Sequence, residues 1–514
     1  MWKENKAKKA IILMLCFFLV IGSILWYFMH EIISREKKTD VVTIAIMQDD
    51  KVQDYNTNYY KTWLENKTGY QINFVYIQPN YYKEYVRALL RAKEGSIDAI
   101  FFPKDREILT EEEFKAYINS GSFTNLLEFM DEGTNLYKLF ETYREVKMKD
   151  NMTDSDGGVY YMPNMDTSRQ AKNFQVLWIN LSWLKKLGIR VPKTTQELQE
   201  VLRAFKAYDA NENGIQDEIP LLSCESKYEL QSYNYLLNAF IPNDPYRKRF
   251  YLNPEGNITC ALAQEEFREG LKYCRTLYKE ELLAKEGFYF TQRQIQELIN
   301  DPANLVGAFT SKSISDLVYT NSADILSRYI QVPPIEGPFS NRNAIRQDYV
   351  LSYGGIIPIN SMHKKEAFHI MDFMLSEEAS LIGLFGEEGV DWKFSEESDL
   401  STYGTKAKIT TVQYLFDKIQ NKHFMGAGPQ LSYERYIDFV TWNGSSSNVE
   451  YINSRAIMGY EPHYLKDYPD INITLHEDYV SYTDEMITMF IKGDMDVFDD
   501  YTWNAFLNGL ERLY

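Results

Sequence analysis

Four cysteines and six histidines are few for 514 residues. Cys16 falls in an apolar N-terminal run, which leaves Cys224, Cys260 and Cys274 for the body. Three thiols are too few and too oddly numbered for a disulfide framework, so at most one bridge can form. Their spacing matches no zinc pattern and the histidines form no H-E-x-x-H pair, which excludes the common zinc architectures. Positive charge is also scarce: 55 Lys and Arg stand against 73 Asp and Glu, a formal net charge of −18. With no Lys/Arg-rich patch outside the N-terminus, the chain has no general attraction for a phosphate backbone, and nucleic acid is excluded as a partner. Low-complexity tracts, internal repeats, a G-x-S-x-G elbow and a P-loop are missing too.

What is present is ordinary globular composition, with 25% charged and 45% hydrophobic residues. That balance is not the low-hydrophobicity signature of disorder, and the length predicts two or three domains. Aromatic residues are abundant: 39 Tyr, 29 Phe and 8 Trp. Such rings cover apolar surface while offering a hydroxyl or indole donor; sugar-binding clefts use them, and so do ordinary cores.

Lys3, Lys6, Lys8 and Lys9 precede an uncharged apolar run from Ile11 to Met29, close to the roughly 20 residues that cross a bilayer as a helix. By the positive-inside rule the N-terminus lies in the cytoplasm and the chain from His30 onward outside. A cleaved secretory signal is the competing reading, with Gly22 and Ser23 as the small residues at the site. Ile24, Leu25, Trp26, Tyr27 and Phe28 continue the apolar run beyond them, which favours a retained transmembrane anchor. Cys16 lacks the small residue expected directly before a lipidated cysteine and reads as a buried membrane thiol.

After a charged stalk, Val41 to Ile46 is β-branched and apolar, as in a strand buried on both faces. A helix over Tyr59 to Lys67 ends near Gly69, Gln71 to Ile77 alternates as a second strand, a helix spans Tyr81 to Glu94, and Ile97 to Phe102 is a third strand. This order predicts an α/β body with a parallel sheet and right-handed crossovers. The logic restarts after Asp156, with a strand over Phe174 to Ile179, a helix over Leu181 to Leu187 closed by Gly188, and a longer helix over Thr194 to Tyr208, capped by Thr194 or Thr195. Val350 to Ile359 reads as a strand and Lys364 to Leu375 as a helix.

Asp156-Gly157-Gly158-Val159-Tyr160-Tyr161-Met162-Pro163 resembles the "DGxxYxxP" strand of the extracellular solute-binding proteins of carbohydrate importers. Trp183 to Ile189, Val191 to Thr194 and Phe205 to Asp209 are similar to that family's "WLKKLGI…P.T…F" segment. Gly386 to Trp392 resembles its "YGxEGxxW" turn, and Phe490-Ile491-Lys492-Gly493 its C-terminal "FIxG". The order of these blocks, from Val41 to Tyr514, carries the resemblance, toward the branch with alginate-binding periplasmic proteins and large Gram-positive sugar-binding lipoproteins. The resemblance implies a two-lobed periplasmic-binding-protein-like fold with the ligand in a cleft that closes by hinge motion, and delivery to the permease of an ATP-binding-cassette (ABC) transporter. The expected organisation is a stub, anchor and stalk over 1–39, a first lobe over 40–165 completed by about 350–390, and a second lobe over 166–349 completed by about 391–514.

Asp209-Ala210-Asn211-Glu212-Asn213-Gly214-Ile215-Gln216-Asp217-Glu218 puts oxygen side chains at loop positions one, three, five and nine and glycine at six, following the EF-hand rule. Position twelve is Pro220, so Glu218 is the available replacement for the usual bidentate glutamate. In the resembling family this loop holds a structural calcium, which implies as ligands Asp209, Asn211, Asn213, the Ile215 carbonyl, Asp217 and Glu218. Hard oxygen donors suit Ca²⁺ rather than Zn²⁺.

A carbohydrate ligand calls for aromatics at strand ends beside polar residues. Gln48, Asp49 and Asp50 follow the first strand, Tyr160 and Asn164 lie in the interlobe strand, and Trp392 and Trp442 stand beside turn residues. The alternative for each ring is core packing. A membrane-anchored glycoside hydrolase is the main rival, since two suitably spaced carboxylates suffice for hydrolysis; a sensing ectodomain acting through a partner is the third reading.

Overall fold

The computed structural model describes residues 41–442 and 475–513, apart from 93–94, 105, 169–171, 173, 319–322, 344–348, 400, 402–405, 414, 416–417, 425, 434–435 and 437–439. The anchor expected over Ile11 to Met29 lies outside the described residues, among which no helix is long and apolar enough to cross a membrane.

The main strands are β1 (Val41–Met47), β2 (Gln71–Ile77), β3 (Ala99–Phe101), β4 (Met162–Asp166), β5 (Val176–Asn180), β6 (Ala308–Ser311), β7 (Tyr329–Val332), β8 (Val350–Ile356) and β9 (Gln430–Ser432). They build two sheets. The first has the order β9-β4-β8-β3-β1-β2. In it β1 runs parallel to both β2 and β3, β8 runs antiparallel to β3 and β4, and β9 lies parallel to β4. The apolar run of β1 is buried on both faces, as its composition predicts: Val42, Ile44 and Ile46 join one core, and Ala45 joins the core on the other side with Val86 and Ile100.

The connecting helices obey local rules. Helix α1 (Tyr59–Thr68) begins where the Asn58 side chain accepts from the Tyr60 amide, and stops at Gly69, whose φ of 77° needs no Cβ. Helix α2 (Pro79–Arg91) opens with Pro79 in its first turn. Helix α3 (Glu111–Asn119) carries a capping box of Thr110 and Glu113.

The second sheet, β6-β5-β7, is antiparallel throughout. The parallel sheet expected for this half is therefore corrected, and the first sheet is mixed rather than purely parallel. Chain direction explains both. β4 ends at the carboxyl rim of the first sheet, β5 opens the second sheet, and β6 and β7 run against β5. The chain returns before residue 350 at the same rim, so β8 must run against its neighbours.

Helices α4 (Leu181–Leu187) and α5 (Thr195–Ala207) back the second sheet; Gly188 closes the first, and Thr194 caps the second by accepting from Glu197 N. Their core includes Trp183, Leu198, Phe205, Phe267 and Leu271, and it takes in Tyr479, Ile487, Phe490 and Phe506 from the C-terminal helices. The described residues of 391–432 do not join it, although they were expected to. Gln430–Ser432 pair into the first sheet, while Trp392–Phe394, Ile409–Thr411 and Val440–Trp442 form a small sheet whose Trp392, Ile409 and Val440 pack on Leu381 and Phe385.

Candidate functional site

Strands β1, β3, β4 and β9 end at one rim, and ligands of open α/β sheets lie beyond such carboxyl ends. A groove of about 1030 Å³ reaches this rim at the end of β3 and the start of β8 and extends to Tyr160 and Tyr161 at the amino end of β4. Phe102, Pro103 and Lys104 follow β3, Leu351, Ser352 and Tyr353 open β8, and Tyr160 and Tyr161 precede β4; helix α3 and residues 151–155 close the sides.

The groove floor is aromatic. Tyr353 stacks on Phe114 with centroids 4.0 Å apart and planes at 6°, and meets Tyr161 edge-on at 4.8 Å. Burial pushes the Tyr353 phenol up to about 12, so it stays protonated at neutral pH. Tyr160 is placed by the two glycines before it. Gly157 has a φ of 85°, and a Cβ on Gly158 would fall 2.6 Å from the Tyr160 ring, so only glycine lets the ring fold back. The Tyr160 hydroxyl then donates to Asp156 Oδ2 at 2.5 Å, and Gly158 N donates to Asp156 Oδ1 at 2.9 Å. Burial first, then Asp156, push the Tyr160 phenol up to about 12; the same hydrogen bond is the main reason Asp156 is held below the usual carboxylate range.

Lys104, in the groove lining, places Nζ 2.6 Å from Oδ2 of Asp166, which lies outside that lining. Asp166 Oδ1 accepts from Ser168 N at 2.8 Å. Farther out, Lys115 pairs with Glu111 at 2.6 Å. The arrangement offers apolar ring faces, hydroxyls and paired charges, which suits a polyhydroxylated ligand.

The second sheet presents a comparable rim. Gln175, at the start of β5, donates to the Gln231 carbonyl at 2.8 Å and to Thr310 Oγ1 at 2.9 Å, and its Oε1 is buried without a partner. Beside it Tyr246, 58% exposed, meets Phe174 and Tyr228 edge-on at 5.1 and 5.2 Å.

Away from both rims, the Asp/Asn/Gly loop after α5 is wound around its own oxygens. Asp209 Oδ1 and Oδ2 accept from Asn213 N and Gly214 N at 3.1 and 3.0 Å, and Asn213 Oδ1 accepts from Ile215 N at 2.7 Å. The amide groups of Asn211 and Asn213 both donate to Asp217. Gly214 at the turn has a φ of 78°. Glu218 Oε1 accepts from Ala210 N at 2.7 Å, while its Oε2 is buried with no partner. No group of three or more His, Cys, Asp or Glu side chains converges among the described residues; this loop draws on two Asn amides and a main-chain carbonyl as well. Its donor set and the unpaired Glu218 oxygen fit a hard cation.

No protein-family model matches the chain. Over 159 residues it is 35% identical to the fructooligosaccharide ABC transporter substrate-binding protein FusA of Streptococcus pneumoniae, a match covering 30% of this chain and 29% of that protein. Lipoprotein LipO of Bacillus subtilis is 21% identical over 347 residues, 65% of this chain and 64% of that one. The matches thus span less than two thirds of either relative. Among solved structures, Streptococcus pneumoniae FusA in complex with kestose superimposes with a TM-score of 0.63 at 20% identity, covering 92% of this chain and 96% of that one. An EF-hand mutant of FusA with fructo-nystose gives 0.62 at 19%, over 92% and 96%. An HMO-binding solute-binding protein of Bifidobacterium longum infantis gives 0.65 at 18%, over 93% and 96%. The alginate-binding protein AlgQ2 without calcium ion gives 0.57 at 19%, over 93% and 95%.

The chain has the fold of the extracellular solute-binding proteins.

In that fold the residues singled out from sequence fall in different places. Tyr160 lines the groove. Gln48, Asp49 and Asp50 end β1 at the same rim, but outside the groove lining: Gln48 Oε1 accepts from Gln78 Nε2 at 2.6 Å, and Asp49 Oδ1 accepts from Lys51 N at 2.7 Å. Asn164 is 1% exposed and clamps a glycine loop, donating to the carbonyls of Gly426 and Gly428. Trp392 is 1% exposed, and its indole N–H donates to the Gly386 carbonyl at 2.9 Å. It is a core residue, so its expected presentation to a ligand is corrected: the glycine turn buries the ring against Phe385. The backbone of Trp442 pairs with Thr411, and its side chain lies outside the described residues. The sequence reading missed Lys104, Tyr161, Asp166 and Tyr353. The rule that ligands sit beyond strand carboxyl ends, applied to the third strand as well as the first, points to Phe102-Pro103-Lys104.

Proposed function

We propose that this chain is the solute-binding component of a carbohydrate ABC importer, which captures an oligosaccharide in the groove at the first-sheet rim and hands it to a permease. The observation that carries this reading is the groove itself: a tyrosine-lined channel along an open sheet that reaches the carboxyl end of β3, where Lys104 is paired with Asp166 and Lys115 with Glu111. Sugar rings lay apolar faces on aromatic rings and exchange water for side-chain hydrogen bonds. Tyr160, Tyr161, Tyr353, Lys104 and Ser352 supply those contacts. Of the residues expected from sequence, Gln48, Asp49 and Asp50 follow β1 at the same sheet rim, outside the groove lining.

Binding without turnover is favoured over hydrolysis. A glycosidase needs a protonated carboxyl in contact with the glycosidic oxygen, yet the carboxyls that burial pushes up, Glu225, Asp244, Asp316 and Asp372, all lie outside the groove lining.

Asp209, Asn211, Asn213, the Ile215 carbonyl, Asp217 and Glu218 would hold a structural Ca²⁺, whose bound charge would fix the turn between α5 and the strand-like segment at Ile219. Ile11 to Met29 would anchor the protein with its bulk outside the cell. The test is titration calorimetry of the full-length protein in detergent, with calcium, against an oligosaccharide panel, followed by chromatography of the recovered sugar. Saturable binding of intact sugar is the expected result; fragments in place of the sugar would mark an enzyme, and an absence of binding across the panel would refute the sugar site.

A further inference from the structure

The groove's charges carry the reading of its ligand one step further, and this step rests on the groove being the sugar site. Among the described residues lining it, Lys104, Arg106 and Lys115 are balanced by Glu107, Glu111 and Asp154. Lys115 and Glu111 are mutually paired and mostly exposed, where water screens them. Lys104 is different. Its side chain is only 39% exposed, and the Asp166 carboxylate that meets it at 2.6 Å is 12% exposed. Asp166 is in turn held by Ser168 N and by its place at the end of β4.

We infer that the groove takes uncharged oligosaccharides and rejects uronate-type ones, and that Asp166 sets this preference by neutralising Lys104. A uronate carboxylate entering the groove loses hydration that only a nearby unpaired cation could replace. Lys104 cannot replace it, because its charge is already cancelled; Lys115 is held by Glu111, Arg106 is exposed next to Glu107 where water screens it, and a second carboxylate beside Asp166 would meet like charge at short range. The net charge of −18 adds a long-range field of the same sign. A neutral sugar gives up only hydroxyl–water hydrogen bonds, which Lys104, Ser352, Asn151 and the tyrosine hydroxyls can return. Asp166 thus acts through Lys104 as a positioning residue.

The experiment uses the full-length protein in detergent at low salt with calcium fixed. It titrates neutral trisaccharides (kestose, maltotriose, xylotriose, chitotriose) and uronate trisaccharides (trigalacturonate, triguluronate) into the wild type, Asp166→Asn, Asp166→Ser and the double variant Lys104→Gln/Asp166→Asn. The wild type is expected to bind at least one neutral sugar and no uronate. Freeing Lys104 by Asp166→Asn should raise uronate affinity about tenfold or more, in line with a charge-assisted hydrogen bond. Added salt should erase that gain, and so should Lys104→Gln. Wild-type protein that binds a uronate as tightly as its best neutral sugar would overturn the charge rule while leaving the sugar site standing. A folded Asp166→Asn or Asp166→Ser protein with no uronate gain would remove Asp166 from the argument, and failure of both panels would bring down the sugar reading and this inference with it.

Discussion

The Asp/Asn/Gly loop and the groove are both polar sites, yet they are built in opposite ways. The loop takes its oxygens from the consecutive residues 209–218 and satisfies them with its own amides, as where Asn211 and Asn213 donate to Asp217. The groove gathers Lys104, Tyr160 and Tyr353 from segments far apart in the chain, and Asp166 beside it pairs with Lys104. A local device assembles its donor set from consecutive residues whatever the rest of the fold is doing. A site assembled across the sheet rim can select by shape and by charge, because each element contributes one part of the pattern.

Trp392 lies in neither site and calibrates both. Trp392→Ala should lower unfolding stability by about 3–5 kcal/mol, the usual range for emptying a buried indole position, as read from denaturant melts. Stability that is unchanged, with sugar affinity lost, would return Trp392 to the ligand.

Next in size is the loop. With calcium at a hundredfold excess over its Kd, stabilisation of about 2.7 kcal/mol is expected, and Asp217→Ala should abolish it in melts run with and without chelator. Sugar affinity of the folded variant should stay within about twofold; a parallel collapse would show that the two sites are coupled.

A buried carboxyl in the second half gives a pH handle on the same contrast. Burial raises Glu225 from 4.5 to about 7, with Tyr233 and Gln231 as partners. The folded state therefore keeps a proton that the unfolded chain releases above pH 4.5, so stability falls as pH rises from about 4.5 to 7. Glu225→Gln should flatten that slope and stabilise the protein at pH 8 by up to about 2 kcal/mol, allowing for partial solvent screening. If the slope persists, another group owns it.

Smallest is the groove ring. Tyr160→Ala should weaken oligosaccharide binding about fivefold to tenfold, the loss of one ring face at roughly 25 cal/mol per Å², and leave calcium stabilisation intact. Calorimetry showing equal affinity would move the ligand away from Tyr160.

Much of the framework was legible because it rests on short-range rules. The apolar strand at Val41 was legible from its composition; the Gly69 and Gly188 stops and the Thr194 cap involve partners within a few residues, and the structure places them as capping chemistry predicts. The Asp209 to Glu218 turn was legible for the same reason. Strand direction in the second sheet was not, because β5 pairs with β6 and β7, which lie far along the chain. Trp392 was misjudged because a glycine turn can present a ring or bury it with the same local sequence; the choice belongs to Phe385, Ile409 and Val440, which pack around it.

By itself, then, the order of residues determined the local devices: helix ends, the two-faced strand, the Asp/Asn/Gly turn, and Gly158 beneath Tyr160. The helix ends, the turn and the glycine draw their energies from contacts within about ten residues of chain, and the strand is marked by its composition alone. Only the tertiary structure decided that Lys104 meets Asp166, that Tyr353 stacks on Phe114, and that Asn164 is spent on a glycine loop rather than on a ligand. Those pairings join positions more than sixty residues apart, and the sheet order that brings them together depends on burying both faces of β1 and closing the rim at β8, which no local stretch of sequence records.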